Sequence, residues 1–259
     1  MCIQFDKYTA NWCKYPTEAD ANFYEILKFY LFNTLCENTS SMGKSMKDYH
    51  WNKNCWGKNE LRDYMLNIAE LLHSEKRLSK AKTIDAMSQA IQTTNLIDKF
   101  YKQCTDNTIA FYNSGKYPDI IQIFFYIRCA FAHGRFLVKN ERYYMEAIDS
   151  KSYKLKARIC IKEKTLLEWK KIIESGNNVF QENLRLMNDK TNEAIKQMIL
   201  NFIKNGCMRK KDIVSDIREQ LVVTKKKIEE QFRVLIKDNI IKLNKNHGYI
   251  ILKTIPEEK

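Results

Sequence analysis

An apolar run near the middle of the chain leads directly into a cation and an imidazole. Residues 120–127 are apolar except for Gln122, and Arg128 and His133 follow them. Because stripping water from a guanidinium is costly, an Arg in a buried helix needs a partner. Arg128 must therefore either pair with an acid in the core or face a cavity that receives an anion.

Arg128 and His133 are residue types that suit phosphate chemistry. Arg is always charged and presents a planar fork that matches phosphate oxygens. His gives and takes protons near neutral pH. The structural alternative is that His133 caps the end of its helix inside the core, and that Arg128 pairs with Glu25 or Glu70.

The motif that joins these residues resembles a family signature. Arg128-x-x-x-x-His133 followed by Gly134, near the end of an apolar helix, resembles the HEPN superfamily (higher eukaryotes and prokaryotes nucleotide-binding). Two small residues between the Arg and the His, helical patterns upstream, and a strand-like segment and helix downstream extend the resemblance over residues 17–190. Family members often have a polar residue directly after the Arg, and this chain has Cys129 there.

The resemblance implies a metal-independent endoribonuclease of a bacterial toxin or antiphage defence system, with no cofactor. Arg128 and His133 would be catalytic, and RNA would be cut to 2′,3′-cyclic phosphate and 5′-OH ends. Arg135 and Tyr126 flank the motif and could contact phosphate or base. Five helical residues rotate by about 140° beyond one full turn. The two catalytic side chains therefore converge only if the helix ends at His133 or if two copies face each other, and the resemblance implies a homodimer.

Hydrophobic periodicity predicts a mainly α fold with a small β-hairpin, and the resemblance implies that the helices form an HEPN-like bundle. Pro118 is expected to begin the central, buried helix and Gly134 to end it. Thr165 is a plausible N-cap for the helix after the hairpin. The first expected helix starts near residue 17, and the four others span 59–79, 84–105, 118–133 and 165–188. The expected hairpin strands are 143–148 and 155–161.

From residue 191 onward the pattern predicts a second domain, so we expect domains 1–190 and 191–259. The second of three short amphipathic helices is expected at 210–220, and Thr224 is expected to cap the third. Two expected strands, 240–243 and 249–252, follow them, and this order of elements resembles a winged helix-turn-helix domain. The third helix would be the recognition helix. Its first turn contains Lys225, Lys226 and Lys227, and the expected wing contains Lys245. Since a helix dipole disfavours cations at this end, phosphate contact is the simplest reason for three lysines there. The alternative is a protein-docking module.

The charge of the whole chain agrees with a polyanionic partner. The net charge is +13, and residues 191–259 have fifteen Lys or Arg and nine Asp or Glu, a net charge of +6. RNA is the expected substrate, and DNA or a protein is a further partner for the winged helix. A solvated Lys-rich surface is the alternative reading of this charge.

The positions of the cysteines and histidines indicate whether the chain binds a metal and whether its thiols are free. None of the eight cysteines lies in a Cys-x-x-Cys pair, and the four histidines are far apart. We therefore expect no metal site. No signal peptide is evident and no apolar run approaches the ~20 residues of a membrane span, so we expect a cytoplasmic protein with free thiols and no membrane contact.

A second function from another class stays open. The winged helix could bind an operator while the helical domain only dimerises, which would make the protein a non-catalytic transcription regulator. The two readings differ in which residues matter, because the enzyme depends on His133 and the regulator on Lys225–Lys227.

Overall fold

The chain forms two compact units in a computed structural model, Met1–Phe180 and Gln181–Lys259. The structure describes residues 21–35, 44–51, 59–72, 74–149, 152–206, 209–221, 223–243 and 248–252. Among these residues, no helix combines the length and the apolar character that crossing a bilayer requires.

Unit 1 contains a five-stranded sheet with helices packed on it. Its strands are β1 (Leu78–Ala81), β2 (Thr108–Tyr112), β3 (Phe136–Lys139), β4 (Arg142–Ile148) and β5 (Leu155–Lys162). Its helices are α1 (Ala21–Leu27), which continues as a π-helix over Lys28–Asn33, then α2 (Asn59–Ile68), α3 (Met87–Thr93), α4 (Asp119–Ala132) and the start of α5 (Glu163–Lys204). Short 3₁₀ helices span Met46–Tyr49 and Phe100–Lys102.

The sheet is mixed, in the order β1-β2-β5-β4-β3. Strands β1 and β2 are parallel, with Leu78 opposite Ile109, and the other neighbours are antiparallel. Parallel neighbours need a crossover connection, and α3 lies in that connection. The α3 side of the sheet holds one hydrophobic cluster, which includes Ile91 and Tyr144. On the other side, Phe131 of α4 contacts the ring of Tyr143 in β4.

The expectation of a mainly α fold is wrong, because the protein is α/β with a five-stranded mixed sheet. The expected hairpin is only two of the five strands. Helix 59–79 ends at Ile68, and helix 84–105 is reduced to α3 and a 3₁₀ turn. Strand β1 has four residues, two of them polar, so its own pattern does not distinguish it from a helix end. Its pairing with β2 depends on residues about thirty positions away.

Helix α5 continues through residues 190 and 191, where the sequence predicts the boundary between two domains. It has 42 residues and is interrupted at Gly176, where φ is 76° and ψ is 177°. Only glycine adopts this conformation readily. A Cβ at Gly176 would also lie 2.9 Å from the Tyr49 carbonyl oxygen. Thr165 lies within the helix and is buried, with its Oγ1 accepting a hydrogen bond from Asn107, so it is not the N-cap.

Unit 2 contains the C-terminal part of α5, then α6 (Lys210–Gln220), α7 (Lys225–Lys237), β6 (Ile241–Leu243) and β7 (Tyr249–Ile251). The expected N-cap of α7 is confirmed, since Thr224 Oγ1 accepts the Lys227 N–H at 3.3 Å. Strands β6 and β7 form an antiparallel pair. A separate hydrophobic core holds the unit together and includes Ile199, Ile217 and Phe232.

A buried charge network lies on the α3 side of the sheet in unit 1. Arg158 of β5 has no exposed surface, and its Nε donates to Glu146 Oε1 of β4 at 2.7 Å. The guanidinium also donates to the Leu96 carbonyl and to Asp98, both at 2.9 Å, and lies over the Phe100 ring. Burial raises the pKa of Glu146, while the neighbouring Arg158 acts in the opposite direction. The pair joins two central strands to the segment after α3.

We expect Glu146→Ala to lower the free energy of unfolding of unit 1 by about 3–5 kcal/mol, because it leaves a buried guanidinium without its buried partner. All four tryptophans lie within unit 1, so tryptophan fluorescence during urea unfolding measures this unit. Asp63→Ala is the matched control, since Asp63 pairs with Arg62 at 2.7 Å but is 42% exposed. It should cost less than about 1 kcal/mol. Equal losses in the two variants would contradict a stabilising role for the buried pair.

Candidate functional site

Helix α4 has one buried side and one partly exposed stripe. Its expected central position is only partly confirmed. The buried side consists of apolar residues that face the rest of unit 1. Beyond the first turn, where Asp119 is also partly exposed, the stripe consists of the partly or fully exposed residues Gln122, Phe125, Arg128, Cys129, Ala132 and His133. At 100° per residue, Arg128 and His133 lie at the two borders of this stripe, about 140° apart.

The end of α4 has the hydrogen bonds of a Schellman motif. Gly134 has a φ of 62°, a left-handed conformation that favours glycine. The Arg135 N–H donates to the Ala130 carbonyl at 2.8 Å, and the Gly134 N–H donates to the Phe131 carbonyl at 3.2 Å. The prediction that Gly134 ends this helix is confirmed. His133 is therefore the C-cap, and its side chain is exposed rather than buried in the core.

Arg128 is not bound to either acid that the structural alternative offered. Glu25 pairs with Lys170 at 2.8 Å, and Glu70 pairs with Arg77 at 3.0 Å. The Arg128 Nε is buried and has no hydrogen-bond partner among the described residues. A buried hydrogen-bond donor without a partner costs free energy, so a ligand that supplies an acceptor to this nitrogen would be stabilised there. As a whole, Arg128 is partly exposed, so a ligand can approach this residue from solvent.

Further charged groups lie near the stripe. Burial raises the pKa of the Cys129 thiol, while the charge of Arg128, a side-chain hydrogen bond from Arg128 and the charge of Lys156 act in the opposite direction. Lys156 forms an ion pair with Asp149, whose Oδ1 also accepts hydrogen bonds from Ser152. Lys156 and Asp149 were not among the predicted site residues. They come from the β4–β5 turn region, and no local sequence pattern connects them with α4.

Arg135 lies on the opposite side of the sheet from α4. Its carbonyl accepts the Glu146 N–H at 3.0 Å, which extends the β3–β4 ladder by one residue. The next residue, Phe136, contacts the Phe131 ring of α4 at 5.0 Å between centroids. Because successive side chains in a strand alternate, Arg135 lies on the same side of the sheet as Glu146, where its charge partly offsets the rise that burial causes in the pKa of Glu146. The structure therefore does not bring Arg135 together with Arg128, and its contact with RNA stays a prediction.

Tyr126 serves the fold of unit 1. Its hydroxyl donates to the Tyr112 carbonyl at 2.8 Å, and burial raises its pKa. This side chain is almost completely buried, so it is not placed to contact a phosphate or a base.

The three lysines at the start of α7 differ in environment. Lys227 Nζ donates to Asn188 at 2.9 Å, and burial lowers its pKa. Lys225 lies 3.8 Å from Glu229, whereas Lys226 is exposed. Lys245 lies in residues 244–247, outside the described residues.

Two further cations share the exposed face of α7. Arg233 and Lys237 are exposed, and they follow Lys226 at spacings of seven and eleven residues. These spacings place all three on one helix face. Sequence reasoning missed the two later residues, although the same helical spacing could have found them.

Among the described residues, no group of three His, Cys, Asp or Glu side chains is arranged to hold a metal ion. The structure brings Arg128 and His133 onto one exposed stripe, and it places Lys225–Lys227 in the other unit. The candidate site of unit 1 is thus a cation and an imidazole at the C-terminal end of one helix.

Comparison with protein-family models, with curated proteins and with solved structures finds no match for this chain. The resemblance of the Arg128–His133 motif to the HEPN superfamily therefore stays a prediction from the sequence.

We expect inorganic phosphate to stabilise unit 1 through Arg128. A ligand that binds only the folded state at about tenfold its Kd adds ~1.4 kcal/mol to the free energy of unfolding. Urea unfolding followed by tryptophan fluorescence should show this gain in phosphate against sodium chloride of equal ionic strength. Arg128→Gln should remove the gain, and Arg62→Gln, a surface control, should keep it. The same gain in both variants would mean that phosphate acts elsewhere.

Proposed function

We propose that this protein is a metal-independent endoribonuclease of a bacterial toxin or antiphage defence type, acting in the cytoplasm. The observation that supports it best is the buried Nε of Arg128, which has no hydrogen-bond partner within the described ranges of the chain, on a partly exposed helix stripe that ends at the exposed His133. The motif resemblance and the net charge of +13 favour RNA as the anion that this stripe receives.

In the proposed reaction the RNA 2′-OH attacks its own adjacent phosphorus. His133 removes the 2′ proton or protonates the leaving 5′ oxygen, as a general base or general acid. Arg128 binds the non-bridging oxygens and stabilises the negative charge that grows on them. The products are a 2′,3′-cyclic phosphate and a 5′-OH end. DNA lacks the 2′-OH and is not cut.

The proposal includes a homodimer with two composite sites. Arg128 and His133 point about 140° apart on one helix, so a single copy does not aim both at one phosphate. Phe125, Cys129 and Ala132 lie between them and give the stripe a mainly apolar surface. Two copies of the stripe that face each other across a twofold axis would bring Arg128 of one copy towards His133 of the other.

We expect purified protein to cut RNA in EDTA and both His133→Ala and Arg128→Ala to lose at least 100-fold in rate, a typical contribution of general acid–base catalysis or of a charge-stabilising donor (about 10²–10³). Gel analysis of a defined RNA measures the rate, and enzymatic end-labelling identifies the ends. A matched RNA with 2′-deoxy sugars should stay intact. Arg62→Ala is the control for a lost surface charge.

If the site is shared between two copies, a mixture of the two inactive variants should recover part of the cleavage activity. Random exchange of subunits makes half of the dimers mixed, and each mixed dimer has one intact site. Equal mixing should therefore restore about a quarter of the wild-type activity. No recovery after proven subunit exchange would contradict the composite site. Cleavage that survives in both single variants would contradict a catalytic role for Arg128 and His133, and no cleavage by the wild-type protein would contradict the ribonuclease itself.

A second candidate is a nucleic-acid-binding regulator that uses unit 2. The exposed cations Lys226, Arg233 and Lys237 on one face of α7 favour it. With this function, α7 contacts the phosphates of a nucleic acid, and unit 1 does not catalyse a reaction.

For this second function we expect Lys226→Gln combined with Arg233→Gln to weaken binding to duplex DNA or RNA uniformly across sequences. Each lost phosphate contact should reduce the slope of log affinity against log salt by about 1. Fluorescence anisotropy at several salt concentrations measures this. Lys227→Gln is the matched control, since its amine is already bonded to Asn188. An unchanged slope in the double variant would contradict contact through this face.

A further inference from the structure

Two cysteines meet on the α3 side of the sheet in unit 1. Cys160 is buried in β5, opposite Thr108 in β2 and Tyr144 in β4. Cys104 precedes β2 and is partly exposed. The Cys160 sulfur donates to the Cys104 carbonyl oxygen at 3.7 Å, and the Tyr144 hydroxyl donates to the same oxygen at 3.0 Å. These contacts hold the Cys104 backbone over the buried thiol.

The side chain of Cys104 also has polar neighbours, and its sulfur donates to the Asp106 carbonyl oxygen at 3.4 Å. A side-chain hydrogen bond from Cys160 is the main cause that lowers the pKa of Cys104 to about 7, and Thr108 contributes in the same direction. The same hydrogen bond is the main cause that raises the pKa of Cys160. Cys104, a partly exposed residue, therefore has a partly ionised thiol near neutral pH, while Cys160 is protonated and buried in the core.

We propose that Cys104 and Cys160 are a redox-sensitive pair, in which Cys104 reacts with a peroxide and Cys160 then closes a disulfide. The arrangement has the two parts that such chemistry needs, an attacking thiol on a partly exposed residue and a resolving thiol 3.7 Å from the backbone of that residue. In a reducing cytoplasm the pair rests as two thiols, and the disulfide forms only under oxidation.

The chemistry balances with hydrogen peroxide as the oxidant. The Cys104 thiolate attacks one peroxide oxygen, the O–O bond breaks and hydroxide leaves, which takes up a proton to become water. Cys104 is now a sulfenic acid, and the peroxide has been reduced. The Cys160 sulfur attacks the Cys104 sulfur, the S–O bond breaks, and hydroxide leaves with the Cys160 proton as a second water.

The disulfide would join segments that are close in space and far apart in sequence. Fifty-five residues separate Cys104 from Cys160, and they include β2, α4 and the β3–β4 hairpin. The crosslink would attach the segment before β2 covalently to β5. Cys129 provides an internal comparison, since it lies on α4 and burial raises its pKa.

The test treats the full-length protein with stoichiometric hydrogen peroxide and maps every cysteine by mass spectrometry after blocking free thiols. We expect a peptide that links Cys104 to Cys160, lost on treatment with dithiothreitol. Cys129 should stay reduced over the time in which the link forms. In Cys160→Ala, a dione reagent should label Cys104 as a sulfenic acid, and in Cys104→Ser no link should form.

Cys129→Ser is the matched control and should form the link at the wild-type rate. Tryptophan fluorescence confirms that each variant of unit 1 is folded, and the mapping of the wild-type protein needs no variant. Oxidation of Cys129 ahead of Cys104, or a disulfide from Cys104 to any cysteine other than Cys160, would overturn the proposal. Two thiols that stay reduced under this treatment would overturn it as well.

Discussion

The packing of α4 against the sheet is the contact on which the rest of unit 1 depends. Phe131 lies against Phe136 and Tyr143, and Phe124 stacks on Tyr30 with ring centroids 5.2 Å apart. Aromatic side chains bury large areas, so these contacts dominate the stability of this layer. Because the buried side of α4 is held so firmly, the opposite stripe has a defined orientation. Arg128 and His133 occupy its borders as a result of core packing, not of contacts between the two residues.

The α3 side of the sheet buries a charged side chain, which the α4 side does not among the residues that the structure describes. It contains a fully buried guanidinium, which is tolerated only because Glu146, Asp98 and the Leu96 carbonyl accept its hydrogen bonds. The cysteine pair lies on this same side, next to Tyr144. The two sides of one sheet therefore hold different chemistry. In the part of the chain that the structure describes, the Nε of Arg128 has no partner, whereas Arg158 is bonded through Nε and both terminal nitrogens.

The contrast between Arg128 and Arg158 shows how far sequence reasoning reaches. Both arginines follow apolar residues, and both raise the question of a partner. Sequence reasoning offered Glu25 and Glu70 as ion-pair partners of Arg128, but these acids pair with Lys170 and Arg77. It did not single out Arg158, whose partner Glu146 lies directly opposite in the neighbouring strand. A partner across two strands depends on register, and register depends on the whole sheet.

Some features were decided by the sequence alone, because they depend on neighbours within a few positions. These include the end of α4 at Gly134, the Thr224 cap, the bounds of α6 and the β6–β7 pair. Helix periodicity, caps and tight turns all act locally, so the chain expresses them directly.

The tertiary structure alone decided the class of the fold, the side of the sheet on which Arg135 lies and the meeting of Cys104 with Cys160. Each of these needs strands to pair across tens of residues, and such pairing is set by the fit of the whole core. No local pattern in the sequence contains that information.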